Sequence, residues 1–164
     1  MAGFKTNVMR ILDQKKIVYT PHEYHSPDGT APDGVTVASM IGKAPREVYK
    51  TLVTQGASRR YYVFVVPSDG QLDLKKAAKS VGEKSVELLH VKDINAVTGY
   101  VRGGCTPIGM KKLFRTVLHE TASSFEKITF SGGRRGTQVE LSPSELIKLI
   151  NAETADIAVL DHPD

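Results

Sequence analysis

Cysteine is nearly absent: Cys105 is the only one in 164 residues, so no intramolecular disulfide can form. A single thiol fits a reducing cytosol better than an oxidising compartment. Long apolar runs are also missing. The most apolar stretch, Tyr61-Tyr62-Val63-Phe64-Val65-Val66, is far too short to cross a bilayer. The opening residues, Met1-Ala2-Gly3-Phe4-Lys5-Thr6-Asn7, hold no apolar segment of the signal-peptide kind. A cytoplasmic location with no membrane partner is the expectation. No internal repeat, low-complexity tract or interdomain linker occurs, which excludes fibrous, repeat and disordered classes. No closely spaced pair of metal ligands has a matching second half, so neither a metal nor a cofactor is expected.

What is present is an ordinary globular composition, 40% apolar and 24% charged. The length fits one domain over residues 1–164. A chain of this size buries roughly 68–70% of its unfolded surface, enough for an apolar core without staples. Lysine and arginine number 22 against 18 acidic residues, a formal charge of +4. That excess permits nucleic-acid binding if the cations gather on one face, and composition does not say that they do.

Periodicity predicts a helix over residues 6–16, with Val8, Ile11 and Leu12 at helical spacing, then a strand over 17–25 that Pro21 demotes to an edge. Residues 26–34 are dense in turn formers and predict a loop. Short helices follow over 36–41, with Thr36 as cap and Gly42 as stop, and over 45–48, with Pro45 in the first turn. Residues 49–54 and 61–66 read as a β-hairpin whose second strand, apolar on both faces, lies centrally in a sheet. A helix over 74–81 stopped by Gly82, a short strand over 84–88 and a short helix over 91–97 come next. Further strands are expected over 116–119, 127–131, 137–141 and 156–160. A helix over 143–151 should be capped by Ser142, with Glu145 completing a capping box. The expected fold is α+β, a mixed and curved or barrel-like sheet surrounded by helices.

Two glycine-rich segments stand out as places for chemistry. Residues 98–109 carry Gly99, Gly103, Gly104 and Gly109, which let backbone groups approach a ligand, and Pro107, which stiffens the turn. A purely structural connection explains them equally well. A phosphate-binding P-loop is rejected: Gly104 and Gly109 are correctly separated, but Met110 stands where the lysine should be. Ser131-Gly132-Gly133-Arg134-Arg135-Gly136 reads as a solvated hairpin turn in preference to an anion-binding nest. Cys105 has no local histidine signature and reads as a packed thiol. His22 and His25, three apart on a strand, point to opposite faces. Lys50, at the start of a strand, is unremarkable by composition and spacing.

Taken together, five blocks resemble the YbaK family, freestanding Cys-tRNA(Pro) deacylases related to the editing domain inserted in prolyl-tRNA synthetases. The blocks are Lys5-Thr6-Asn7-Val8-Met9-Arg10-Ile11-Leu12, Val48-Tyr49-Lys50-Thr51-Leu52-Val53, and the helix over 71–79. Thr98-Gly99-Tyr100 through Lys112 and Ser131 through Gly136 complete the series in order. The resemblance covers nearly the whole chain and implies an aminoacyl-tRNA deacylase whose activity depends on Lys50. It places the family's Gly-x-x-x-Pro loop on Gly103, Gly104, Cys105, Thr106 and Pro107, whose backbone helps hold the aminoacyl end. Tyr24, Thr51 and Ser131 match further pocket positions. Gln138 falls where the family often has an aspartate, a departure that removes a charge at the substrate's amino group.

The resemblance implies Cys-tRNA(Pro), and possibly also Cys-tRNA(Cys), as substrate, with prolyl-tRNA synthetase as the partner that holds the tRNA. In the family the substrate's own thiol attacks the ester to give a cyclic thioester, which makes a protein nucleophile unnecessary and Cys105 a bystander. Two alternatives stay open: the same scaffold acting on Ala-tRNA(Pro) or another aminoacyl-tRNA, and a non-catalytic tRNA- or synthetase-binding module.

Overall fold

The computed structural model of the chain describes residues 5–25 and 32–160. Residues 26–31 of the expected 26–34 loop lie outside this set. The elements run α1 (Asn7–Gln14), β1 (Tyr19–Glu23), α2 (Gly34–Met40), a 3-10 turn (Pro45–Glu47), β2 (Tyr49–Gly56), β3 (Tyr61–Pro67), β4 (Gly70–Leu72) and α3 (Leu74–Val81). They continue with β5 (Val86–Leu88), α4 (Val91–Thr98), β6 (Arg115–His119), a 3-10 turn (Glu120–Ser124), β7 (Ile128–Ser131), β8 (Thr137–Leu141), α5 (Pro143–Ile150), β9 (Glu153–Ala155) and β10 (Ala158–Leu160). None of these helices is long and apolar enough to cross a membrane.

Local chemistry explains most boundaries. Thr6 accepts a hydrogen bond from the Met9 amide and opens α1, which buries Val8, Met9 and Leu12. Asp73 accepts from the amides of Lys75 and Lys76 and opens α3; Gly82, at φ +72°, closes it. The αL conformation there is cheap only for a residue without Cβ. β2 and β3 pair antiparallel from Tyr49↔Pro67 to Gln55↔Tyr61, the predicted hairpin.

The α+β class holds, and the sheet divides instead of closing. A five-stranded sheet has the order β5-β2-β3-β6-β9, a three-stranded sheet the order β1-β8-β7, and a two-stranded ribbon joins β10 to β4. The large sheet is mixed: β3–β6 and β6–β9 are parallel, the other pairs antiparallel. Its central strand, β3, faces two cores, which accounts for its uninterrupted apolar run. Val63 and Val65 pack with α1, the three-stranded sheet and α5, while Tyr62, Phe64 and Val66 pack with α3. β1, with Pro21, lies on a sheet edge as expected, because proline has no N–H to give a second neighbour.

Three details differ from the sequence reading. Asp33, not Thr36, caps α2: its carboxylate accepts from the Thr36 amide at 2.8 Å. Ser142 precedes α5 but makes no capping bond, since its hydroxyl pairs with that of Ser144 at 2.9 Å. Of the expected final strand over 156–160 only Ala158–Leu160 is strand, and an unexpected short strand, Glu153–Ala155, precedes it in another sheet. The break falls at Asp156, held by Lys76 at 3.0 Å, and at buried Ile157, whose amide donates to His119 Nδ1 at 3.2 Å. These tethers redirect the chain from β6 to β4.

The caps differ in energetic weight. Asp73→Ala should lower unfolding free energy by about 1 kcal/mol, the usual worth of a capping side chain, whereas Ser142→Ala should cost much less. Urea denaturation of both variants checks this, and equal losses would contradict the absence of a capping bond at Ser142.

Candidate active site

The two larger sheets meet where β2 begins. Val48, just before β2, bridges in parallel to Thr129 of β7. One residue on, Tyr49 turns into the core, and its hydroxyl pairs with Thr121 Oγ1 at 2.8 Å. Burial pushes the Tyr49 phenol up to about 12, so it stays a neutral anchor. Because side chains alternate along a strand, anchoring Tyr49 inward sends Lys50 to the opposite face, opposite Val66 in register.

A pocket of about 130 Å³ opens at this junction. β2 and its approach contribute Val48, Tyr49, Lys50 and Thr51; the three-stranded sheet contributes Ser131 and Gln138, which are register partners. Tyr24 closes one side, Gly103 and Cys105 of the glycine-rich loop another, and Pro32, Gly34 and Val37 form a wall from α2 and the residues before it. Of the residues singled out in the sequence, Tyr24, Lys50, Thr51, Gly103, Cys105, Ser131 and Gln138 therefore line one pocket. Gly104, Thr106 and Pro107 do not line it; all three are buried. The α2 wall went unread in the sequence. Only the Asp33 cap, four residues before Val37, signals a helix start there.

The polar groups of the pocket are unevenly satisfied. Among the described residues Thr51 Oγ1 and Gln138 Oε1 are buried without a hydrogen-bond partner, as is Thr106 Oγ1. Gln138 is only 6% exposed. An unmet buried acceptor typically costs about 1–3 kcal/mol, so such atoms mark positions where a ligand atom is worth more than usual. Lys50 is half-buried and supplies the positive charge of the lining. Its field reaches Asp33, whose carboxyl is held below its ordinary value first by hydrogen bonds from Thr36 and, more weakly, by Lys50. Cys105 is kept as a thiol: burial pushes it up to about 11.

The two glycine-rich segments pack on each other. Residues 132–136 form the turn of the β7–β8 hairpin, the preferred sequence reading. A Cβ on Gly104 would lie 2.9 Å from Arg134 Cα, so only glycine allows this approach. Tyr100 donates to the Ile108 carbonyl at 2.5 Å, which draws the loop shut upon itself.

Beside the pocket, Glu140 on β8 joins Lys43 at 2.9 Å and His22 at 2.8 Å. Burial by itself would raise the Glu140 carboxyl, but hydrogen bonds from Lys43 and His22 outweigh it and hold the group below its ordinary 4.5. His119 is also buried, and burial lowers its pKa; it belongs to the β6–β10 tether and not to the pocket.

A family model of the aminoacyl-tRNA editing domain matches residues 30–149, well over half of the chain. Over 154 residues the chain is 46% identical to EbsC of Enterococcus faecalis, named as a candidate Cys-tRNA(Pro)/Cys-tRNA(Cys) deacylase, and covers 93% of each protein. It is 27% identical over 109 residues to the uncharacterized protein YwhH of Bacillus subtilis, 66% of this chain and 69% of that one. Among solved structures, hypothetical protein APE2540 superposes with a TM-score of 0.83 at 24% identity, covering 94% of this chain and 100% of its own. A candidate trans-editing enzyme for prolyl tRNA synthetase gives 0.79 at 23%, covering 96% and 99%. At such identities the structural likeness establishes the fold.

A depressed carboxyl stabilises the fold above its unfolded value and loses that contribution as pH falls through the folded one. Glu140 should therefore contribute fully above pH 4.5 and progressively less below it. Glu140→Gln should flatten the acid limb of stability against pH, as measured by urea titration; an unchanged acid limb would show that the Lys43–Glu140–His22 group carries no linkage.

Proposed function

The chain belongs to the aminoacyl-tRNA editing domain family, and on that footing we propose that it deacylates mischarged Cys-tRNA(Pro), with Lys50 as the charge-stabilising group. Cys-tRNA(Cys) is a second substrate of the same chemistry, in keeping with the name of the 46%-identical relative. The observation that carries this reading is the pocket itself: a space of about 130 Å³ lined by Lys50 and by Thr51 and Gln138, each of which has a buried oxygen without a partner among the described residues. That volume is roughly four waters' worth, on the scale of a small aminoacyl group.

The bond to be broken is the ester between the amino acid and the terminal ribose. Its cleavage passes through a tetrahedral oxyanion, and a cation fixed nearby lowers that barrier; losing one such group typically costs about 10²–10³ in rate. Lys50 supplies a point charge at the pocket wall, either to the oxyanion or to the terminal phosphate. Gln138 Oε1 accepts from the substrate's ammonium, and Thr51 and the Gly103 backbone hold the aminoacyl end. The substrate's thiol is the nucleophile. Its sulfur bonds to the carbonyl carbon, the carbon–ribose oxygen bond breaks, and the thiol proton passes to the ribose oxygen, leaving a cyclic thioester. The protein's own thiol does not compete, because at about 11 Cys105 remains protonated near neutral pH.

Prolyl-tRNA synthetase is the partner in this reading, presenting the tRNA whose acylated end enters the pocket. Ala-tRNA(Pro) is the neighbouring alternative, since pockets separate small side chains by only about 1–3 kcal/mol per methylene.

Lys50→Ala should reduce deacylation of Cys-tRNA(Pro) by at least about 10²-fold with an unchanged unfolding midpoint. Cys105→Ala should leave the rate within about twofold, because an attacking thiol would have to be a thiolate. A Lys50→Ala protein as fast as the parent would sink the assignment, and loss of turnover in a folded Cys105→Ala protein would move the nucleophile to the enzyme. A panel of Cys-, Ala- and Pro-charged tRNA(Pro), with and without the synthetase, separates the substrates.

A further inference from the structure

The contact between the two glycine-rich segments brings together three arginines that are close in the chain to pocket-lining residues. Arg102 precedes Gly103 of the pocket wall, and Arg134 and Arg135 sit in the hairpin turn that follows Ser131. Arg135 Nε donates to the Arg102 carbonyl at 2.8 Å, which joins the two turns. Arg134 Nε donates to Thr137 Oγ1 at 3.0 Å, and its Nη2 lies 3.6 Å from Glu23. The far end of the turn meets the third wall, where the Tyr24 amide donates to the Gly136 carbonyl at 2.9 Å. The turn therefore spans the rim from Gly103 to Tyr24. Arg102 and Arg135 are exposed, and Glu23 is an acid paired with Arg134.

We infer that Arg102, Arg134 and Arg135 form a phosphate-holding rim that grips the single-stranded 3′ end of the RNA whose terminal ester occupies the pocket. This rests on the deacylase reading for the ester and not for the binding. A ribose esterified inside the pocket is followed by phosphodiesters outside it, each with one negative charge. The Arg134 and Arg135 guanidinium groups, held through Nε, keep their orientation before the ligand arrives, so less side-chain entropy is lost on contact than with free lysines. Grip of this kind is independent of base identity and falls with salt, by about 0.7 in log K per log salt for each single-strand phosphate neutralised. The rim thus contributes affinity and registration, while the pocket discriminates the aminoacyl group.

The test uses the full chain and an uncharged RNA hairpin with a short single-stranded 3′ tail, followed by fluorescence anisotropy over a salt series. The double substitution R102Q/R135Q should flatten the salt slope by about 1.4, so that its affinity loss from about 50 to about 200 mM salt is about sevenfold smaller than the parent's. K79Q/K84Q removes the same charge from exposed positions on α3 and before β5 and should match the parent. Equal slopes for R102Q/R135Q and the parent, or equal losses in both double variants, overturn the rim. A melting midpoint unchanged from the parent certifies the fold of R102Q/R135Q; if it is lowered, R135Q alone is measured and should flatten the slope by about 0.7. In deacylation, R102Q/R135Q should raise KM with kcat unchanged. If the slopes change as stated but no ester is cleaved by the parent, the deacylase reading fails and the rim stands; cleavage with unchanged slopes has the opposite meaning.

Discussion

Val48 and Thr129 lie side by side in one parallel bridge, and through it the five-stranded sheet is joined to the three-stranded one. The pocket exists only at that join. If β2 slipped by one residue, Tyr49 would leave the core and Lys50 would enter it, since strand side chains alternate with period two. The Tyr49–Thr121 hydrogen bond and the burial of Val48 and Tyr49 hold the register at this end. The position of Lys50 is thus a consequence of core packing on the residues before it. Its charge is set in place by neighbours that carry none.

The same junction explains the uneven hydrogen bonding of the lining. Inside a folded domain, nearly every buried polar atom finds a partner, and the exceptions gather where something else is meant to bind. Here Thr51 Oγ1 and Gln138 Oε1 are exceptions, and they face one pocket from two different sheets. Neither sheet by itself could satisfy the other's orphan, because the pocket lies between them. Burial acts on Cys105 by favouring the protonated thiol. One environment therefore leaves two oxygens unpaired and keeps a thiol neutral.

Glycine matters here for closeness more than for flexibility. At Gly104 the loop and the hairpin turn touch backbone to backbone, a distance no Cβ would allow. That approach brings Gly103 and Ser131 to the same pocket and brings Arg102 beside Arg135. The pocket wall and the arginine-bearing turn are consequently held together at this close backbone approach and at the Arg135–Arg102 hydrogen bond. A side chain at Gly104 would push the two segments apart.

Much of the local structure was readable from residue order. The α1 stripe of Val8 and Leu12, the Asp73-to-Gly82 helix α3, and the β2–β3 hairpin all follow from interactions over a few residues, where periodicity and capping operate. Lys50 itself was legible only as a member of a family pattern, because a strand-initial lysine has no local signature. Tertiary structure decided the rest. Ser142 has the residue type of a cap, yet Ser144 takes its hydroxyl. The closing strand begins only at Ala158 because Lys76 and His119, distant in sequence, hold Asp156 and Ile157. The pocket is assembled from Tyr24, Lys50, Gly103 and Ser131, positions dozens of residues apart. Contacts of that span arise only when two sheets pack, so short-range rules carry the elements while the packing of β2 on β7 creates the site.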